Sequence, residues 1–147
     1  MNRKEFIRNA TVGVATVGIV SALSAQEHKH NMPATKSNKK YSKALMSAIH
    51  CKLAAEICLS HCIEEMGKGD KTLLGCATST RETIAICDSF IQIASQDSKF
   101  TKKTAGLCAE ICKNCAAECK KHAEHHAICK ECMDSCLSCA KEMAALS

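Results

Sequence analysis

The 147-residue chain is long enough for one domain with one core, and its formal net charge of +5 is mild. It has no Trp, one Tyr and three Phe, and Lys alternates with Glu instead of forming a basic stripe with interleaved aromatics, which argues against nucleic-acid binding. Ala, Lys, Glu, Leu and Ile dominate, and β-branched runs are few beyond the first 20 positions, so the composition favours helix over strand.

Residues 1–25 read as an export signal. Arg3, Lys4 and Arg8 are basic, and residues 10–20 are modestly apolar, diluted by Thr11, Gly13, Thr16 and Gly18. The small residues Ser21-Ala22-Leu23-Ser24-Ala25 follow and suit peptidase cleavage. Asn2-Arg3-Lys4-Glu5-Phe6-Ile7-Arg8 resembles a twin-arginine motif with Lys4 in place of the second Arg. The apolar stretch is too short and weak to span a bilayer, and no Cys follows it for lipid anchoring. The expectation is export to a bacterial periplasm by the twin-arginine route, with no stable membrane insertion. Residues 26–41 are polar, carry the lone Pro33, and read as a flexible tether. His28 and His30 within them read as solvated side chains.

Residues 42–147 hold four predicted helices, at 42–66, 72–95, 101–122 and 125–146. Gly67-Lys68-Gly69-Asp70 breaks the first, and Gln96-Asp97-Ser98-Lys99 ends the second. At 1.5 Å per residue the helices are about 30–37 Å long, and their short connections imply antiparallel neighbours. The predicted fold is all-α, an up-down-up-down four-helix bundle.

All 13 cysteines fall in this region, most of them at helical spacing. Cys108, Cys112, Cys115 and Cys119 step by 4, 3 and 4, and Cys129, Cys132, Cys136 and Cys139 by 3, 4 and 3. At about 100° per residue the sets cover roughly 60–80° of arc, the seam where a bundle places Leu and Ile. The rhythm recurs as Cys51, Ala55, Cys58, Cys62 in the first helix and Cys76, Thr80, Thr83, Cys87 in the second. At an interval of 17, Cys112, Cys115 and Cys119 also map onto Cys129, Cys132 and Cys136. The bundle is therefore expected to have a cysteine-lined core.

Disulfides do not fit this pattern. Neighbours at i+3 or i+4 on a helix hold their Cβ atoms about 5–6 Å apart, whereas a disulfide needs about 3.5–4.5 Å. A soft metal ion can span that gap. Two or three buried cysteines could serve as small hydrophobes, but 13 in one seam point to ligands. Thiolates select Cu(I), Zn(II) or iron–sulfur clusters. Tetrahedral zinc sites use ligands from loops that turn around the ion, and iron–sulfur runs wrap a cluster with Pro-bearing loops. Cys-x3-Cys on a rigid helix presents two thiolates side by side, which favours Cu(I) over the other two.

The segment Cys112-Lys-Asn-Cys115-Ala-Ala-Glu-Cys119-Lys-Lys-His122-Ala-Glu-His125-His126-Ala-Ile-Cys129-Lys-Glu-Cys132-Met-Asp-Ser-Cys136-Leu-Ser-Cys139 resembles the bacterial four-helix-bundle copper storage proteins. The likeness extends back through Cys51, Cys58, Cys62, Cys76 and Cys87. It implies a bundle filled with multiple Cu(I) thiolates and assembled as a homo-tetramer, with all 13 cysteines as ligands. His and Met near the bundle ends would then handle entering ions, and a copper-accepting protein would be a partner.

A copper store thus explains every thiol. A metallothionein-like scavenger of Zn or other soft metals is the alternative. An enzyme is not expected: Glu56, Glu64, Glu65 and Glu110 form no catalytic constellation and read as outer-face charges. The expected copper mouth gathers Cys62, Met66, Cys76, Cys119, His122, His125, His126 and Cys129, and the expected apolar plug at the other end gathers Leu45, Phe90, Ile91, Leu107 and Met143. His122, His125, His126, Met66 and Met46 are the possible accessory metal residues, and Met133 reads as ordinary packing.

Overall fold

The structure, a computed structural model, describes residues 39–147. The expected signal at 1–25, with His28 and His30, lies outside the described residues. Four α-helices follow one another: α1 (Ser42–Gly67), α2 (Leu74–Ser95), α3 (Thr101–Lys120) and α4 (Ala127–Ala144). A single 3-10 turn, Lys71–Leu73, leads into α2. Each helix packs on its two neighbours in a closed ring, α1 on α2, α2 on α3, α3 on α4 and α4 back on α1, while diagonal backbones stay apart. That is the expected four-helix bundle.

The bends are built by the residues that looked like breakers. After α1, Gly69 adopts φ 110°, and Gly69 N and Asp70 N donate to the carbonyls of Met66 (3.0 Å) and Glu65 (3.1 Å). This paired arrangement satisfies end carbonyls that the helix leaves without partners. Asp70 then accepts from Thr72 N at 3.0 Å and Thr72 Oγ1 at 2.6 Å, which opens the next helical turn. After α2 the same arrangement recurs with Asp97 at φ 49°, a left-handed conformation that Asp tolerates better than most side chains. Asp97 N donates to Ala94 O at 3.1 Å and Ser98 N to Ile93 O at 3.3 Å. The Asp97 carboxylate meanwhile accepts from Lys40 Nζ at 2.9 Å and Tyr41 Oη at 3.0 Å, tying the start of α1 to this bend.

Between the bends the core is poor in large apolar side chains. Apart from Tyr41, Leu45, Leu73, Ile86, Phe90 and Met143, its buried hydrophobic residues are Ala and Cys. Small residues on all four helices let the backbones approach and give every thiol a place on the axis. The plug expected away from the histidines forms in part. Leu45, Phe90 and Met143 are buried there, but Leu107 is 50% exposed. One helical step separates Leu107 from Cys108, and that 100° rotation takes its side chain out of the seam.

Candidate metal centre

All 13 cysteines are free thiols with no exposed surface. Their sulfurs meet across the bundle axis as well as along α1, α3 and α4. Cys51 Sγ lies 3.6 Å from Cys136 Sγ and 3.9 Å from Cys112 Sγ. Cys58 is 3.7 Å from Cys76 and 3.9 Å from Cys129, Cys76 is 3.4 Å from Cys119, and Cys87 is 4.0 Å from Cys108. Along α3, Cys108–Cys112 and Cys115–Cys119 are each 4.0 Å apart. With metal–sulfur bonds of about 2.3 Å, one ion can bridge sulfurs up to about 4.6 Å apart. These spacings suit bridging and exceed the roughly 2.05 Å of a disulfide.

Four convergent groups emerge, each with its sulfurs within 4.8 Å of one another. Cys51, Cys87, Cys112 and Cys139 take one thiol from each helix, and Cys58, Cys62, Cys76 and Cys129 form a second group nearer the α3–α4 turn. Between them lie Cys58–Cys119–Cys132 and Cys115–Cys132–Cys136, so that Cys58 and Cys132 each belong to two groups. The arrangement is one continuous column.

The thiols titrate unequally, because a proton held by one sulfur steadies the thiolate beside it. Hydrogen bonding with Cys112, then with Cys136, lowers Cys51 to about 6. Cys76 is held down chiefly by Cys119, Cys132 by Cys115 and Cys139 by Cys108. Cys58 and Cys112 move up, through Cys119 and Cys108 respectively. The column is thus a set of proton-sharing soft donors in a buried interior, and any metal bound there would have to displace thiol protons.

At the α3–α4 end the structure brings together His61, His122 and His126. His61 Nε2 lies 2.8 Å from His126 Nδ1, so one ring donates and the other accepts according to tautomer. The His122 and His126 rings meet edge to face at 6.4 Å. His61 precedes Cys62 and His126 stands three residues before Cys129, two members of one thiol group, so the imidazoles sit just outside the column. Asp70 is at the same end: its carboxyl is held low first by Thr72 and, more weakly, by His126 and His122. Of the expected mouth residues, His125 is exposed in the turn, while Met66 is partly buried against the core. Met46 is 44% exposed on the outside of α1, away from the thiols. Met133 packs partly buried against the core. His61 was missed by sequence reasoning; its one signal was adjacency to Cys62, and its partner is 65 positions away.

The profile of the family described as copper storage protein matches residues 37–147. The chain belongs to that family. A cysteine-rich protein of Bacillus subtilis (strain 168), YhjQ, is 34% identical over 110 residues, spanning 74% of this chain and 98% of that one. The Cu(I)-bound copper storage protein BsCsp3 superposes with a TM-score of 0.67 at 31% identity, covering 75% of this chain and 97% of that one. A copper storage protein from Streptomyces lividans, solved with five coppers, aligns at TM-score 0.68 and 23% identity over 76% of this chain and 94% of its own.

The comparison overturns one expectation. The Streptomyces lividans protein is described as cytosolic, which contradicts the periplasmic location and twin-arginine route read from residues 1–25. That reading rested on a short basic run and a weakly apolar stretch, features too common in composition to fix a compartment. No helix among the described residues is long and apolar enough to cross a membrane.

Proposed function

We propose that the chain is a store that holds many Cu(I) ions on its cysteine thiolates and is not an enzyme. The observation that carries this reading is the continuous column of 13 buried free thiols at bridging distances. A catalyst needs one asymmetric site, whereas this interior repeats one kind of soft donor along its length. Copper-bound relatives support it: BsCsp3 is described as Cu(I)-bound, and the Streptomyces lividans bundle as carrying five coppers or 10 copper equivalents. All 13 cysteines serve as ligands, and Cys58 and Cys132 link neighbouring groups. Copper enters past His61, His122 and His126, with Met66 beside them, because neutral imidazole takes an ion without first losing a thiol proton. Assembly into a homo-oligomer suits the outer face of α1, where Leu53 and Ile57 are 55% and 49% exposed. Release requires a copper-accepting protein.

A zinc or soft-metal scavenger is the second reading, favoured by the two four-thiol groups, whose number of donors suits a tetrahedral ion. Anaerobic titration of the reduced protein with Cu(I) in the presence of excess Zn(II) decides between them. The store reading expects the bundle to fill with copper towards one ion per thiol. Retained zinc would establish the scavenger instead.

A further inference from the structure

The seam of α2 differs from the other three in its middle. Between Cys76 and Cys87 it carries Thr80 and Thr83, both without exposed surface. Among the described residues the buried polar side chains are Ser79, Thr80, Thr83 and Thr101. Three of them give their hydroxyls to backbone carbonyls. Ser79 Oγ donates to Cys76 O at 3.0 Å, Thr80 Oγ1 lies 3.0 Å from Cys76 O and 2.9 Å from Ala77 O, and Thr101 Oγ1 donates to Ser98 O at 2.7 Å. Thr83 Oγ1 has no partner. A buried hydroxyl without a partner destabilises a fold, and Val would fill the same space without that cost.

The helix register shows what surrounds it. Cys76 meets Cys119 and Cys87 meets Cys108, intervals of eleven on both helices, so the antiparallel register of α2 on α3 is constant. Thr83, four residues before Cys87, stands level with Cys112, four residues after Cys108. Along α4, which runs parallel to α2, Cys76 is grouped with Cys129 and Cys87 with Cys139, which puts Cys136 at the same height. Both of those sulfurs contact Cys51.

A neutral thiol is a weak acceptor. Once copper replaces its proton, the sulfur is a thiolate in a low-dielectric interior and becomes a strong one. We infer that Thr83 donates its hydroxyl to a copper-bound thiolate of the Cys112–Cys136 layer, acting as a positioning residue for the loaded column. A hard hydroxyl oxygen is a poor ligand for Cu(I), so the role is to steady the thiolate and leave the metal to sulfur. This inference rests on the copper-store reading.

The test compares the full chain with its Thr83→Val and Thr83→Ser variants, each reduced and loaded anaerobically with Cu(I). The Val variant should melt no lower than the parent when unloaded and should take up the same number of ions. Part of its copper should leave at about tenfold lower concentration of a competing Cu(I) chelator, the loss expected from one hydrogen bond to a charged acceptor, and its thiolate-to-copper charge-transfer band should shift. The Ser variant should retain copper as the parent does. Parent-like retention and spectrum in the Val variant, or loss in the Ser variant equal to that in Val, would overturn the inference alone. A parent chain that takes up no Cu(I) would overturn the store reading and this inference with it.

Discussion

Replacing Cys58 by Ala, and separately Cys139 by Ala, distinguishes a linked column from a set of independent sites. Both side chains are fully buried, and each change deletes one sulfur from the interior. A deleted methylene-sized group with its residual cavity costs about 1 kcal/mol, so both apo variants should melt about 4–8 °C lower, by similar amounts. Their copper should differ. Cys139 belongs to one convergent group, whereas Cys58 belongs to two and lies 3.7 Å from Cys76 and 3.9 Å from Cys129. If bridging thiolates set capacity, Cys139→Ala loses about one ion and Cys58→Ala about two. Thermal melts of the reduced apo proteins give the first quantity, and anaerobic Cu(I) titration with a chromogenic chelator gives the second. Matched melting with equal copper loss in the two variants would refute the linked column, because the network position of Cys58 would then carry no weight.

Two further outcomes follow from the ends of the bundle. Changing His61, His122 and His126 together to Ala should slow Cu(I) uptake several-fold in stopped-flow measurements at unchanged capacity, and His125→Ala should leave the rate alone; slowing by His125→Ala only would relocate the mouth. The Asp97 carboxyl is held below 3.8, first by Lys40 and then by Tyr41, so its stabilisation is complete above that value and is lost as pH falls through the folded-state pKa. Between about pH 5 and pH 2 the parent should therefore lose more melting temperature than Asp97→Asn, which keeps a residue tolerant of the left-handed bend; parallel curves would exclude the interaction.

The seam itself was legible in the order of residues. Steps of three and four place Cys108, Cys112, Cys115 and Cys119 on one stripe of α3 whatever that helix packs against, because the period belongs to the backbone. The breakers at Gly69 and Asp97 were legible for the same reason: they act locally, through backbone angles. Even Ala55, Thr80 and Thr83, read as seam positions without thiols, are buried as their spacing required. Helix ends shifted by a few residues, since no side chain caps α2, α3 or α4 and the 3-10 turn at Lys71–Leu73 absorbs the entry to α2.

What periodicity cannot contain is the axial offset of one helix against the next, which large and small side chains set by packing against each other. That offset alone decides that Cys51, Cys87, Cys112 and Cys139 form a four-helix group, and that His61 meets His126 while the neighbouring His125 stays outside. It also sets Thr83, buried with its hydroxyl unpaired, level with Cys112 on the next helix. Those contacts join residues far apart in the chain, so they exist only once four helices have settled on a common register.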